Sequence, residues 1–304
     1  MKKSVNNITG TKKNTVLFLV EGDSDQHALE NSIQELFDTL DPKYRIVFAQ
    51  QKHRAEPDEG ADDESTIIES EDDNLGYGFD DYTEGTEDEN DEYGGDITTS
   101  YGVWPRNIEH EISQRFFVPI INKENLYAKQ LLQVIQLVDL DGAYLSEERL
   151  VPFAPERKDR SKFYYNTDRL LIEGDPGKIS KRNYHKRKNI DYLVSRETIH
   201  IQGKEVPYAI YYFTSNLDHV IHQNANLEGS KVSAADAFAA QFYDNLPGFI
   251  NFFDKFDSGE FCGLGYEESW ALVRDMTCAR SIMPGTNLYL LLRELRDKVF
   301  PLPR

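Results

Sequence analysis

Thr15-Val16-Leu17-Phe18-Leu19-Val20-Glu21-Gly22-Asp23-Ser24-Asp25 and, far downstream, Val134-Ile135-Gln136-Leu137-Val138-Asp139-Leu140-Asp141-Gly142 decide how this chain folds. In both, a short apolar run stops at carboxylates. Strands covered on both faces read as such unbroken runs, and open α/β sheets gather their ligands at the carboxyl ends of those strands. After the first run, Asp23 or Ser24 can cap a helix whose apolar positions Ala28, Leu29, Ile33, Leu36 and Phe37 recur at helical spacing. Residues 44–49 read as a second strand. Ile108, Ile112 and Phe116 give helical spacing over residues 107–117, and a further helix is expected over 124–132, ahead of the strand at 133–138. A β-α-β order followed by helix and strand predicts a mostly parallel sheet flanked by helices.

The two clusters carry chemistry suited to a hard cation. Mg²⁺ keeps several waters and is usually held by a few carboxylates together with phosphate oxygens. Residues i and i+2 of an extended chain point the same way, so Asp139 and Asp141 are expected to face one ion together. Glu21, on a neighbouring strand, can complete that ion's shell, hold a second ion or take a proton. Gly22 and Gly142 are expected to let the backbone turn behind the carboxylates. Asp25 is a further candidate ligand.

The net charge of -19 is unevenly spread. Of the 53 acidic residues, 19 fall between Glu56 and Asp96, where no Lys or Arg occurs, and the other 34 balance the 34 Lys and Arg of the whole chain. This Gly-rich, aliphatic-poor segment cannot bury enough apolar surface to offset its ordering entropy, so residues 50–102 are expected to be a disordered insertion, with order resuming at Trp104-Pro105. A solvated spacer, a partner-binding segment or a mimic of nucleic acid that covers a basic groove all fit its composition.

The basic residues gather later. Between Arg157 and Lys204 there are 13 Lys and Arg against six acids, most densely at Lys178, Lys181, Arg182, His185, Lys186, Arg187 and Lys188, interleaved with Tyr184. Such a run suits phosphate backbone and base stacking, and a solvated helix face equally. A third buried strand, around residues 206–214, ends at Ser215, Asn216, Asp218 and His219; Tyr208, Tyr211, Tyr212 and Phe213 within it read as core. From Lys231 onward the pattern is helical. The expected organisation is a core over 14–225, interrupted by the insertion at 50–102 and carrying a basic segment at 152–205, then a helical region at 226–304.

The composition also excludes. No run approaches the roughly 18 apolar residues of a membrane span, and the Lys- and Asn-rich start lacks the apolar stretch of a signal peptide, so a cytoplasmic protein without membrane association is expected. Cys262 and Cys278 are too few for a zinc site or a disulfide framework. There is no Gly-x-x-x-x-Gly-Lys-Ser/Thr loop.

Leu19-Val20-Glu21-Gly22 followed by Asp25, and then Val138-Asp139-Leu140-Asp141-Gly142, resemble the two signature motifs of the Toprim domain shared by topoisomerases, primases and several nucleases. The resemblance covers residues 14–49 and 103–145. It implies that Glu21, Asp139 and Asp141 bind Mg²⁺ (or Mn²⁺) and carry out phosphodiester chemistry. The segment from Tyr212 to His222 is similar to the Ser-Asn-Pro-x-Phe-Glu segment of RloB-like Toprim proteins in bacterial phage-defence loci, with Leu217 in place of the proline and Asp218 near the glutamate. That resemblance adds Asp218 as a metal candidate and Asn216 and His219 as supporting residues. The expected function is a Mg²⁺-dependent nuclease acting on DNA or RNA, tRNA included, as the effector of an antiphage system. A separately encoded ATPase or sensor and a homo-oligomer are the expected partners. The alternatives are a non-catalytic sensor or binding module with a structural ion and a nucleotide phosphotransferase.

Overall fold

The computed structural model describes residues 14–50, 96–100, 102–124, 126–153 and 163–299. The expected disorder of the acidic insertion concerns residues 51–95, which lie outside them. The core is a five-stranded sheet in the order β2-β1-β3-β8-β7, built from β1 (Asn14–Val20), β2 (Tyr44–Gln50), β3 (Leu131–Asp139), β7 (Thr198–Ile201) and β8 (Lys204–Phe213). The first four strands in that order run parallel, and β7 closes the edge as an antiparallel hairpin with β8. The mixed α/β class with a mostly parallel sheet is therefore as read from the sequence.

Helices cover both faces, which is why the strands are apolar throughout. On one face Val16, Phe18 and Val20 of β1, with Ile135 and Leu137 of β3, pack under α1 (Asp23–Leu40) and the C-terminal helices α6 (Lys231–Ala240), α7 (Leu246–Asp254) and α9 (Leu288–Val299). On the other, Leu17, Leu19, Val134 and Val138 pack under the continuous helical stretch α2 (Ile108–Ile112) to α3 (Val118–Glu124), under α4 (Pro176–Val194) and under Trp270 of α8 (Tyr266–Arg274). The C-terminal helices thus complete one core with α1. Tyr208, Tyr211, Tyr212 and Phe213 are all buried.

Three local expectations change. The helix expected over 124–132 is a single 3₁₀ turn, Ala128–Gln130, and β3 already begins at Leu131; burying Leu131 and Val134 on one sheet face outweighs a weak helical spacing. Residues 96–100, inside the expected insertion, belong to the fold, and the Asp96 carboxylate accepts hydrogen bonds from the Thr98 amide at 2.8 Å and the Thr98 hydroxyl at 2.6 Å. A small second sheet, β4 (Leu150–Pro152), β6 (Leu170–Ile172) and β5 (Phe163–Tyr165), lies within the basic segment and has no counterpart in the sequence reading. Among the described residues no helix is long and apolar enough to cross a membrane.

Candidate metal centre

Strand order places the site. The chain leaves β1 for β2 on one side and returns to β3 on the other, so β1 and β3 are neighbours at the point where the winding reverses. Loops there diverge to opposite faces of the sheet and leave a crevice at the carboxyl ends. The crevice is a cleft of about 330 Å³. Glu21 and Asp139, Asp141 beside them, Asp25 on α1 and Asp218 on α5 (Leu217–His222) all line it, as does Asp96. Every carboxylate proposed from the sequence as a metal ligand therefore faces one space, and one unforeseen carboxylate joins them.

The positions are fixed by hydrogen bonds. The Asp139 amide donates to Glu21 Oε1 at 2.9 Å, tying the ends of β1 and β3 together. Asp25 turns back across the first turn of α1, its Oδ2 accepting from the amides of Glu21 and Gly22, each at 3.2 Å. Asp141 is not part of β3 as the i, i+2 argument assumed. It sits in a turn at φ 48°, followed by Gly142 at φ 73°. Its amide donates to the Ser215 carbonyl at 3.0 Å. A left-handed turn, rather than extended alternation, aims Asp141. Gly142 is needed there, because a Cβ would also meet Leu145 Cδ1 at 3.1 Å, whereas Gly22 has an extended backbone with open space around it and no such requirement.

The cations come from α4. Asp175 caps the helix, accepting from the Gly177 amide at 2.8 Å, with Pro176 at its first position. Ile179, Asn183, Lys186 and Ile190 then repeat at helical spacing on the buried face. Lys186 is completely buried. Its Nζ lies 2.6 Å from Asp96, 2.9 Å from Asp141 and 3.9 Å from Glu21. These three carboxylates have oxygens within 4.8 Å of one another, a grouping that can hold a metal ion. Arg182 reaches Asp141 at 3.1 Å and lies over the Phe163 ring, and the Tyr165 hydroxyl donates to Asp141 Oδ1 at 2.8 Å. The unforeseen small sheet thus carries two side chains to the cleft edge.

Charge divides the carboxylates into two sets. Burial raises the Asp141 carboxyl, but Lys186 and Arg182 outweigh it and hold the group well below the usual carboxylate range. Glu21 is pushed well up, first by burial and then by Asp96, with Lys186 opposing. Asp139 is pushed well up by burial and then by Glu21, and its carboxylate has no hydrogen-bond or ion-pair partner among the described residues. Asp25 is pushed up to about 6, chiefly by burial, with the Gly22 amide opposing and Asp218 adding to the rise. Lys186 itself is driven up by Asp141, Asp96 and Glu21 against the effect of its burial.

The basic run divides just as sharply. Lys186 belongs to the buried cluster and is no part of an exposed nucleic-acid-binding arm, because its helical phase points it at the sheet. Arg182 lines the cleft, and Arg187 donates to the Ala143 carbonyl at 2.8 Å. His185 packs against Trp104 and contacts the Val103 carbonyl, and burial lowers its pKa. Lys178, Lys181 and Lys188 are exposed. Beyond the cleft, Asn216 caps α5 by accepting from the His219 amide at 2.8 Å, and His219 shares a hydrogen bond with Ser215. Neither is among the residues lining the cleft. Asp218 is, and it pairs with Lys231 at 3.0 Å.

Asp96 is the residue that sequence reasoning missed. Its composition hid it at the end of 19 acids, yet Asp96-Ile97-Thr98-Thr99 is where apolar and β-branched residues replace glycine and acid. That shift was the available signal that these residues join the packed core. Ile97 is buried, and Asn189 of α4 donates to the carbonyls of Thr98 and Val103, each at 2.9 Å. No family model, curated protein or solved structure matches the chain.

Proposed function

We propose that the cleft binds a divalent cation, Mg²⁺ or Mn²⁺, and that the protein is a metal-dependent nuclease hydrolysing phosphodiester bonds in DNA or RNA. The observation that carries this reading is the Asp139 carboxylate, without a hydrogen-bond or ion-pair partner among the described residues and beside Glu21, both pushed toward protonation in a cleft whose described lining holds more carboxylates than cations. Such a site gains most from an added cation. The donors are all hard oxygens, which suit Mg²⁺.

Glu21, Asp139 and Asp141 would hold the ion, with Asp96 and Asp25 alongside. When bound, the ion would lower the pKa of a coordinated water and offset charge on the transferring phosphate. The protein's own groups supply the rest. Arg182, at the cleft edge and locked by Asp141 and Phe163, presents a guanidinium to a phosphate oxygen. Lys231, half exposed at the mouth and at the first turn of α6, adds a second cation. Glu21, whose carboxyl is raised by burial and then by Asp96, is the group at the cleft suited to take a proton. An antiviral effector acting in the cytoplasm beside a separately encoded ATPase or sensor is the biological setting that the Toprim resemblance suggests.

One observation favours the non-catalytic alternative. The Lys186 ammonium already lies among Glu21, Asp96 and Asp141, as in a purely structural charge cluster. Incubating the purified protein with labelled DNA, RNA, tRNA and nucleotides, with Mg²⁺, Mn²⁺ or chelator, separates the readings. Metal-dependent cleavage that Asp139→Asn and Glu21→Gln each reduce by at least about a hundredfold is expected. Loss of cellular activity in Asp139→Asn, with no cleavage of any substrate by the wild type, would leave the binding module.

A further inference from the structure

Resting on the nuclease reading, we infer that the outward face of α4 is a platform for single-stranded nucleic acid, leading the strand to Arg182 at the cleft. At 3.6 residues per turn Lys178, Lys181, Tyr184 and Lys188 fall within about 120° of one another, opposite the face that carries Asn183 and Lys186 inward. From Lys178 to Lys188 the helix rises about 15 Å. All four side chains are exposed. The three lysines form no ion pair with any described residue, although the chain holds more acids than bases. The other cations of the helix are committed: Lys186 to carboxylates, Arg182 to Asp141, Arg187 to a carbonyl. Three exposed lysines on one face, with no ion-pair partner among the described residues, complement a phosphate backbone.

The aromatic side chains choose the form of the nucleic acid. Tyr184 is 49% exposed, with the Lys188 ammonium 5.4 Å and the Arg187 guanidinium 5.9 Å from its ring centre. Trp104 is 40% exposed and packs against His185 of the same helix, 4.1 Å between ring centroids. Rings that stand free between phosphate-binding groups stack on bases of any sequence, and a duplex hides those base faces. One residue from Lys181, Arg182 stands at the cleft edge. A strand held on the platform therefore meets the carboxylates at its next phosphates.

Fluorescence anisotropy tests this with a fluorescein-labelled oligothymidylate, a labelled duplex of equal length and an acidic peptide spanning residues 56–93, all on the Glu21→Gln protein so that binding is read without cleavage. The single strand is expected to bind more tightly than the duplex. The combined variant Lys178→Gln, Lys181→Gln, Lys188→Gln should flatten the slope of log K against log salt by about 2, from three phosphates at roughly 0.7 each. Tyr184→Ala should weaken binding roughly tenfold and Tyr184→Phe should retain it. Unchanged circular dichroism in these surface variants shows that the loss is local. An unchanged salt slope, equal or tighter binding of the duplex, or capture of the acidic peptide with no strand binding would overturn the platform. Strand binding that follows these rules in a protein that cleaves nothing would support the platform while removing the nuclease reading.

Discussion

The two faces of α4 carry the same residue type under opposite physics. Lys186 is wholly buried, and its ammonium persists because Asp96, Asp141 and Glu21 surround it. Lys181, five positions earlier, stands in water with no ion-pair partner among the described residues. One is a fixed internal counter-ion and the other a hydrated charge available to a ligand. The acids show the same division, Asp96 being locked against Lys186 while Asp139 faces the cleft with no hydrogen-bond or ion-pair partner among the described residues. What a charged residue does here follows from its phase on the helix or its place at a strand end, and very little from the charge of the segment around it.

Breaking the buried side should have the largest effect. Lys186→Met leaves the buried Asp96 and the half-buried Asp141 without their shared cation, and removing one member of a buried ion cluster costs about 3–5 kcal/mol. Urea denaturation at neutral pH measures it, and a loss below about 1 kcal/mol would mean that the cluster opens to water. The next effect is one of pH. Asp25 has its carboxyl raised to about 6 in the folded protein, against about 3.9 in an unfolded chain. The folded state binds this proton more tightly, so the stabilisation is complete below about pH 4 and is lost as pH rises through 6, by about 3 kcal/mol. Comparing wild type with Asp25→Asn across that interval isolates it, and a difference that stays constant with pH would refute the assignment.

Glu21→Gln and Asp139→Asn sharpen the comparison from the cleft side. Both carboxyls are raised by burial first and by their acidic neighbours next, so an amide removes repulsion, at Asp139 without breaking an ion pair among the described residues and at Glu21 at the cost of its 3.9 Å contact with Lys186. Each variant should melt at least about 2 °C higher than wild type in chelator near pH 8. Each should also lose the Mg²⁺-dependent rise in melting temperature expected of the wild type, a rise that shrinks toward pH 5 as protons compete for the same oxygens. Variants that melt lower in chelator would show that these carboxylates are structural partners and not mutually repelling ligands.

Much of this was legible before the fold. Runs buried on both faces identified β1, β2, β3 and β8, and their carboxylate ends marked the cleft, because continuous apolarity and its abrupt end are local properties. The C-terminal helices were legible for the same reason. Long-range geometry was not. That Lys186 turns inward while Lys181 turns outward depends on which face of α4 meets the sheet, which no local pattern sets when both faces are basic. Asp96 was hidden because composition averages over a segment while packing acts on single residues. Asp141 reaches its neighbours through a left-handed turn, a conformation that Asp and Gly permit without announcing it.

The smallest effect tests the comparison most directly. Lys181→Gln alone should leave the denaturation midpoint within experimental error, since an exposed side chain without a partner leaves nothing buried when it is shortened. Yet it should flatten the salt dependence of single-strand binding by about 0.7, the share of one phosphate contact. Lys186→Gln should invert both results, lowering the midpoint while leaving the slope near its wild-type value in whatever fraction remains folded. If instead Lys181→Gln destabilised the protein and spared the slope, the two lysines would differ in degree of exposure only, and the division of α4 into an internal and an external charge surface would fail.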